Sequence, residues 1–96
     1  MSLLAHFFFK VREARMGGIA RVGDKDSRGN TIVSGSSNVF INGRAVARVG
    51  DKDSRGDTLV QGSSTVFVNG LPVHRAGDLD SRGDRQVEGS TDCNCG

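Results

Sequence analysis

Ile19-Ala20-Arg21-Val22-Gly23-Asp24, followed by Lys25-Asp26-Ser27-Arg28-Gly29, recurs three times in this 96-residue chain. The second copy is Val46-Ala47-Arg48-Val49-Gly50-Asp51 with Lys52-Asp53-Ser54-Arg55-Gly56 behind it. The third is Val73-His74-Arg75-Ala76-Gly77-Asp78 with Leu79-Asp80-Ser81-Arg82-Gly83. Gly23, Gly50 and Gly77 therefore stand 27 residues apart. Outward from this stretch, residues 19–43 match 46–70 at 19 of 25 positions, and 73–96 match the second copy at 12 of 24. A fixed period of this length marks a repeat architecture.

Each repeat reads as three short strands. Ile19–Val22 is the first, and the polar loop Gly23–Asn30 turns the chain. Thr31–Val33 is β-branched and extended, Gly35-Ser36-Ser37 is a second turn, and Asn38–Ile41 is a third strand. The pair Asn42-Gly43, repeated as Asn69-Gly70, suits a turn whose residues take positive φ. After Gly96 the next element due would be the equivalent of Ile19–Val22, so the first copy is expected to close a ring against the last. Solenoids of such units need more copies and polar caps. The expectation is an all-β fold, a compact cone of three 27-residue repeats with pseudo-threefold symmetry.

Composition agrees with a small body that lacks a large core. Apolar residues are 35% of the chain, with no Trp or Tyr, and a single domain of this size is only marginally stable unaided. Thirteen basic and eleven acidic residues leave a formal charge of +2, scattered rather than striped, which argues against nucleic acid. Fourteen Gly and one Pro fit many tight turns.

Residues 1–15 stand outside the repeats as an N-terminal extension, with 16–96 as the repeat domain. Leu3, Leu4, Phe7, Phe8 and Val11 fall on one helical face. The segment reads as an amphipathic element packed on the repeats, as a docking peptide, or as a disordered leader. As a secretory signal it fails: the apolar run is short, contains His6, and has no basic residues before it or small-residue cleavage site after it. Synthesis in the cytoplasm without a signal peptide is expected.

Positions that break the repeat point to chemistry. Ala20 and Ala47 give way to His74, while Val39/Ile41 and Val66/Val68 give way to Cys93/Cys95. The two cysteines share a face of their strand. They are poor disulfide partners there, because residues two apart in a strand lie about 6.5–7 Å apart. One His and two Cys suit a tetrahedral zinc, with iron as the second choice. His6 is the candidate fourth ligand; water, Asp92 or a main-chain group are alternatives. The competing reading is that both Cys are small buried replacements for Val.

The loop Asp24-Lys25-Asp26-Ser27-Arg28-Gly29 does not make a calcium EF-hand. Arg28 takes the fifth position and Gly35 the twelfth, where oxygen ligands are required. Its carboxylates are expected to cap turn amides and pair with arginines. Arg55-Gly56-Asp57 and Arg82-Gly83-Asp84 follow from the repeat, whose first copy has Asn30 in place of the acid. No Ser-His-acid set or phosphate loop is present, so no enzyme is indicated.

The segments Gly18-Ile19-Ala20-Arg21, Ala45-Val46-Ala47-Arg48 and Pro72-Val73-His74-Arg75, each followed by x-Gly-Asp, resemble the PAAR-repeat family, as do residues 34–43 and 61–70. The resemblance implies a sharp conical tip, one per trimeric β-helical spike, from a contractile phage tail baseplate or a type VI secretion machine. It implies transient contact with a target membrane, and zinc held near the apex by His and Cys. Many members carry His in the loop after Gly-Asp where this chain has Arg28, Arg55 and Arg82, which leaves His74, Cys93 and Cys95 as local ligands. Phe40, Phe67 and Asn94 occupy equivalent strand positions and are the candidate partner-binding residues. The alternative function is a small metal-binding or carbohydrate-binding adaptor that uses the repeat surface.

Overall fold

The computed structural model describes residues 17–94. The helical reading of the N-terminal extension, His6 and Cys95 all lie outside these residues. Among them there is no helix, and the regular strands are four, each of two residues. β1 (Phe40–Ile41) pairs antiparallel with β2 (Arg44–Ala45), and β3 (Phe67–Val68) with β4 (Leu71–Pro72). The Asn-Gly pairs close both hairpins as expected, with φ of 54° and 79° at Asn42 and Gly43 and of 56° and 78° at Asn69 and Gly70. Two successive positive φ values give the turn whose twist matches that of the paired strands.

The first and second strands expected of each repeat are present only as isolated bridges. Arg21 bridges Val46, Arg48 bridges Val73, and Ile19 bridges Arg75. Ile32 bridges Asp53, Leu59 bridges Asp80, and Asp26 bridges Gln86. In each set the pairing runs from the first repeat to the second, from the second to the third, and from the third back to the first. Gly18 bridges Asn94 as Ala45 pairs Phe40 and Pro72 pairs Phe67, so the segment before the first repeat completes the hairpin that the third repeat begins. A chain that changes partner every one or two residues cannot extend a ladder. That is why segments with strand composition form single bridges.

The quoted motif owes its form to a turn locked by its own side chains. The Arg21 N–H and Nε both donate to Asp24 Oδ2, at 2.9 and 3.1 Å, and the Asp24 N–H returns a 3.0 Å bond to the Arg21 carbonyl. Arg48/Asp51 and Arg75/Asp78 repeat this arrangement. Gly23, Gly50 and Gly77 bridge the acid and the base with φ near 100° (96°, 100° and 99°), a conformation that L side chains rarely adopt.

The core is small: Ala20, Ala47, Ile32 and Leu59 cluster with Val22 packed against them, and Val46, Val73 and Ala76 are also buried. Packing around Gly62 is close. A Cβ there would stand 2.7 Å from the Val73 carbonyl oxygen and 2.9 Å from Pro72 Cβ and Val49 Cγ2. Gly62→Ala must push backbone apart, a cost of about 1–3 kcal/mol. In a domain this size that should lower Tm by roughly 10 °C. A melt within 2 °C of the parent chain would contradict the packing.

Candidate functional site

The third repeat differs from the other two inside the molecule. Where the first two place Ala20 with Ile32 and Ala47 with Leu59, the third places His74 with Gln86, and both are buried. A polar pair can replace an apolar one in a core only if its hydrogen bonds are made. His74 Nδ1 lies 2.8 Å from the Gln61 carbonyl, which can only accept, so that nitrogen carries the proton. Gln86 Nε2 donates to the carbonyls of Lys25 and Glu88, both at 3.0 Å. Gln86 was not singled out in the sequence. Its alignment with Ile32 and Leu59, beside the His74 exchange, was the available signal.

Burial holds the His74 imidazole below its ordinary pKa, and the Gln61 carbonyl, Asp78, Asp80 and Gln86 only partly oppose this. The unfolded chain therefore takes up this proton before the folded one does. The neutral ring's contribution is complete above the unfolded value of about 6.5. It is lost as pH falls from there through the folded pKa. Melts between pH 8 and 5 should show His74→Asn losing less Tm than the parent chain over that window, and an identical pH slope would refute the assignment.

Of the expected zinc ligands, His74 and Cys93 lie among the described residues. They flank the segment 18–20 from opposite sides: the Ile19 N–H donates to the Cys93 carbonyl at 2.8 Å, and the Ala20 N–H to the His74 carbonyl at 2.9 Å. Cys93 is a half-buried free thiol. The ring of His74 is turned toward the second repeat through Gln61. Asn94 is exposed, and Phe40 and Phe67 stand 56% and 54% exposed at the same hairpin position.

A second polar constellation was missed. Asp26, Asp53 and Asp80 are 27 residues apart and only 6%, 3% and 5% exposed. Oδ1 of each caps its own loop by accepting the N–H of the residues two and four further on, every bond 2.9 Å. The expected turn capping is therefore present, but it engages one oxygen of each carboxylate. The other oxygens, Asp26 Oδ2, Asp53 Oδ2 and Asp80 Oδ2, are buried without a hydrogen-bond partner among the described residues, as are Asp57 Oδ2, Asp84 Oδ2 and Asn30 Nδ2. Ligand oxygens of Asp26, Asp80 and Asp84 all lie within 4.8 Å of one another, and so do those of Asp53, Asp57 and Asp80. Such oxygen-only groups could hold a cation. The sequence signal was the alignment of one acid per repeat in a chain whose repeats pair cyclically.

The family model for the PAAR motif matches residues 22–88, more than two thirds of the chain. No curated protein matches it.

Proposed function

The chain belongs to the PAAR-motif family, and on that premise we propose that it is a non-enzymatic tip, one per trimer, that caps a trimeric β-helical spike of a contractile injection machine and sharpens it for passage through a target membrane. Family membership supports a structural, spike-tip type of protein of a phage tail or secretion spike. The observation that carries the finer reading is the cyclic pairing of the three repeats, in which Ile19 meets Arg75 as Arg21 meets Val46 and Arg48 meets Val73. A body that repeats one pairing three times can offer nearly one surface three times to a threefold partner. Three weak contacts made together then give a strong one. On this reading the hairpins β1–β2 and β3–β4, with the Asn94 segment as their third counterpart, form the base. The loops around Asp26, Asp53 and Asp80 form the point.

Mixing the purified chain with trimeric spike fragments should give a complex of one tip to three spike chains by light scattering. If no spike binds while a glycan array does, the adaptor function replaces this one.

The same reading includes zinc, or iron, on His74, Cys93 and Cys95 with His6 as fourth ligand. With Nδ1 hydrogen-bonded to Gln61, a metal would have to take the other ring nitrogen of His74, in a ring that the Gln86 side chain also contacts. A bonded Nδ1 of this kind is the usual second partner of a metal-bound imidazole. Elemental analysis should find one transition metal per chain, lost in the Cys93→Ser/Cys95→Ser variant. A folded chain free of transition metal removes the zinc and leaves the docking reading intact.

A further inference from the structure

We propose that Asp26, Asp53 and Asp80, with Asp57 and Asp84, form a binding site for a hard divalent cation of calcium size, which ties the loops of the three repeats together. The proposal does not depend on spike docking or on zinc.

Three facts support it. First, the unpartnered oxygens belong to side chains more than nine-tenths buried, at Asp26, Asp53 and Asp80, and among the described residues no arginine or lysine lies within salt-bridge distance of these three. Buried carboxylates normally have hydrogen bonds or an ion for every oxygen. Second, the group holds an excess of negative charge. Of the nearby bases, Arg28 Nε reaches Asp84 Oδ1 at 3.1 Å, while Arg82 Nε stands 3.7 Å from Asp57 Oδ2 and 4.0 Å from Asp84 Oδ2. Carboxylates this close repel one another unless a proton or a cation sits between them. Third, the spacing suits calcium. Opposed oxygens around Ca²⁺, each at 2.3–2.6 Å, are about 4.6–5.2 Å apart. Within each group, Asp26/Asp80/Asp84 and Asp53/Asp57/Asp80, the three acid oxygens fall within 4.8 Å of one another, and Asp80 joins the two groups.

The donor set also selects the class of ion. It is all oxygen, which favours calcium, magnesium or manganese over zinc. Magnesium requires a tighter octahedron at about 2.0–2.1 Å and prefers to keep its waters. Asp80 belongs to both groups and is therefore the residue on which binding turns. Asn30 stands where Asp57 and Asp84 stand in the other repeats, and its Nδ2 is buried without a partner among the described residues. Turning that amide over would present its oxygen to the ion, an orientation settled by the hydrogen-bond network and not by shape.

The test uses the whole chain, stripped with EDTA and desalted, and titrated with CaCl₂, MgCl₂ and ZnCl₂ by calorimetry and by thermal melts. Saturable Ca²⁺ binding is expected, with Tm raised by roughly 10 °C at a hundredfold excess over Kd. Asp80→Asn keeps the Oδ1 cap and removes only the ligand oxygen, so Ca²⁺ affinity should fall at least tenfold. Glu88→Gln, in an acid outside the group, should leave it unchanged. If Asp80→Asn does not fold, Asp84→Asn serves in its place, with terbium luminescence on the parent chain as a direct readout. A folded, stripped chain that binds no Ca²⁺, or binds only Zn²⁺ or Mg²⁺, overturns the proposal.

Discussion

Asp24→Ala should cost about 3–5 kcal/mol, the range for breaking a buried ion pair by removing one partner. Asp24 is 2% exposed and accepts four donors: the Arg21 N–H, Nε and a terminal nitrogen, and a terminal nitrogen of Arg44. Arg44 is 41% exposed on its side chain, so its share is small after solvent screening. The Arg21 side chain is 12% exposed, and without Asp24 its charge and its main-chain N–H are left unpaired. A single small domain has a total stability near the low end of 5–15 kcal/mol. The expected drop in Tm is on the order of 20 °C. Asp24→Asn retains one acceptor and should fall between the two. Urea and thermal melts of both variants decide the matter. Asp24→Ala melting within 5 °C of the parent chain would mean that the turn is held by Gly23 and the cyclic bridges alone.

That prediction also shows what was legible in the sequence and what was not. The 27-residue period was open to counting, and so was the Asn-Gly turn at Asn42 and Asn69, because both follow from local residue identity. Ring closure could be expected from the order of elements, and Gly18 with Asn94 and Ile19 with Arg75 supply the pairing. The strands were over-read. Thr31–Val33 has strand composition, yet Thr31 bridges Lys25 in its own repeat while Ile32 bridges Asp53 in the next, so no ladder extends. Residue type reports local preference, whereas the partner of each residue is set by the closed arrangement. The site was legible only in part for the same reason. His74 breaks the repeat and stands out by that, while Asp26, Asp53 and Asp80 keep it and have the residue type of ordinary caps. Their second oxygens become conspicuous only when the copies are brought together and no donor among the described residues reaches them.

Docking on a threefold spike should fail in a Phe40→Asp/Phe67→Asp variant whose fold is intact. Both rings are more than half exposed on β1 and β3, and they contribute nothing to the buried cluster of Ala20, Ile32, Ala47 and Leu59. Their loss should therefore shift Tm little. Buried aromatic anchors at an interface are worth about 2 kcal/mol or more each. Losing two should weaken the complex by roughly a thousandfold, measured by calorimetry against the trimeric spike fragment. The third position supplies a test of opposite sign. Asn94 pairs Gly18 as Phe40 pairs Ala45 and Phe67 pairs Pro72, so the proposed base would present two aromatic side chains and one polar one. If the partner is threefold, its third subunit offers Asn94 the same apolar surface that the others offer Phe40 and Phe67. Asn94→Phe should then tighten binding, by about tenfold for a ring half as well seated as the other two. Unchanged affinity in Asn94→Phe, beside a large loss in the double variant, would mean that the two hairpins bind a partner without threefold symmetry. Unchanged affinity in both would place the docking surface elsewhere on the chain.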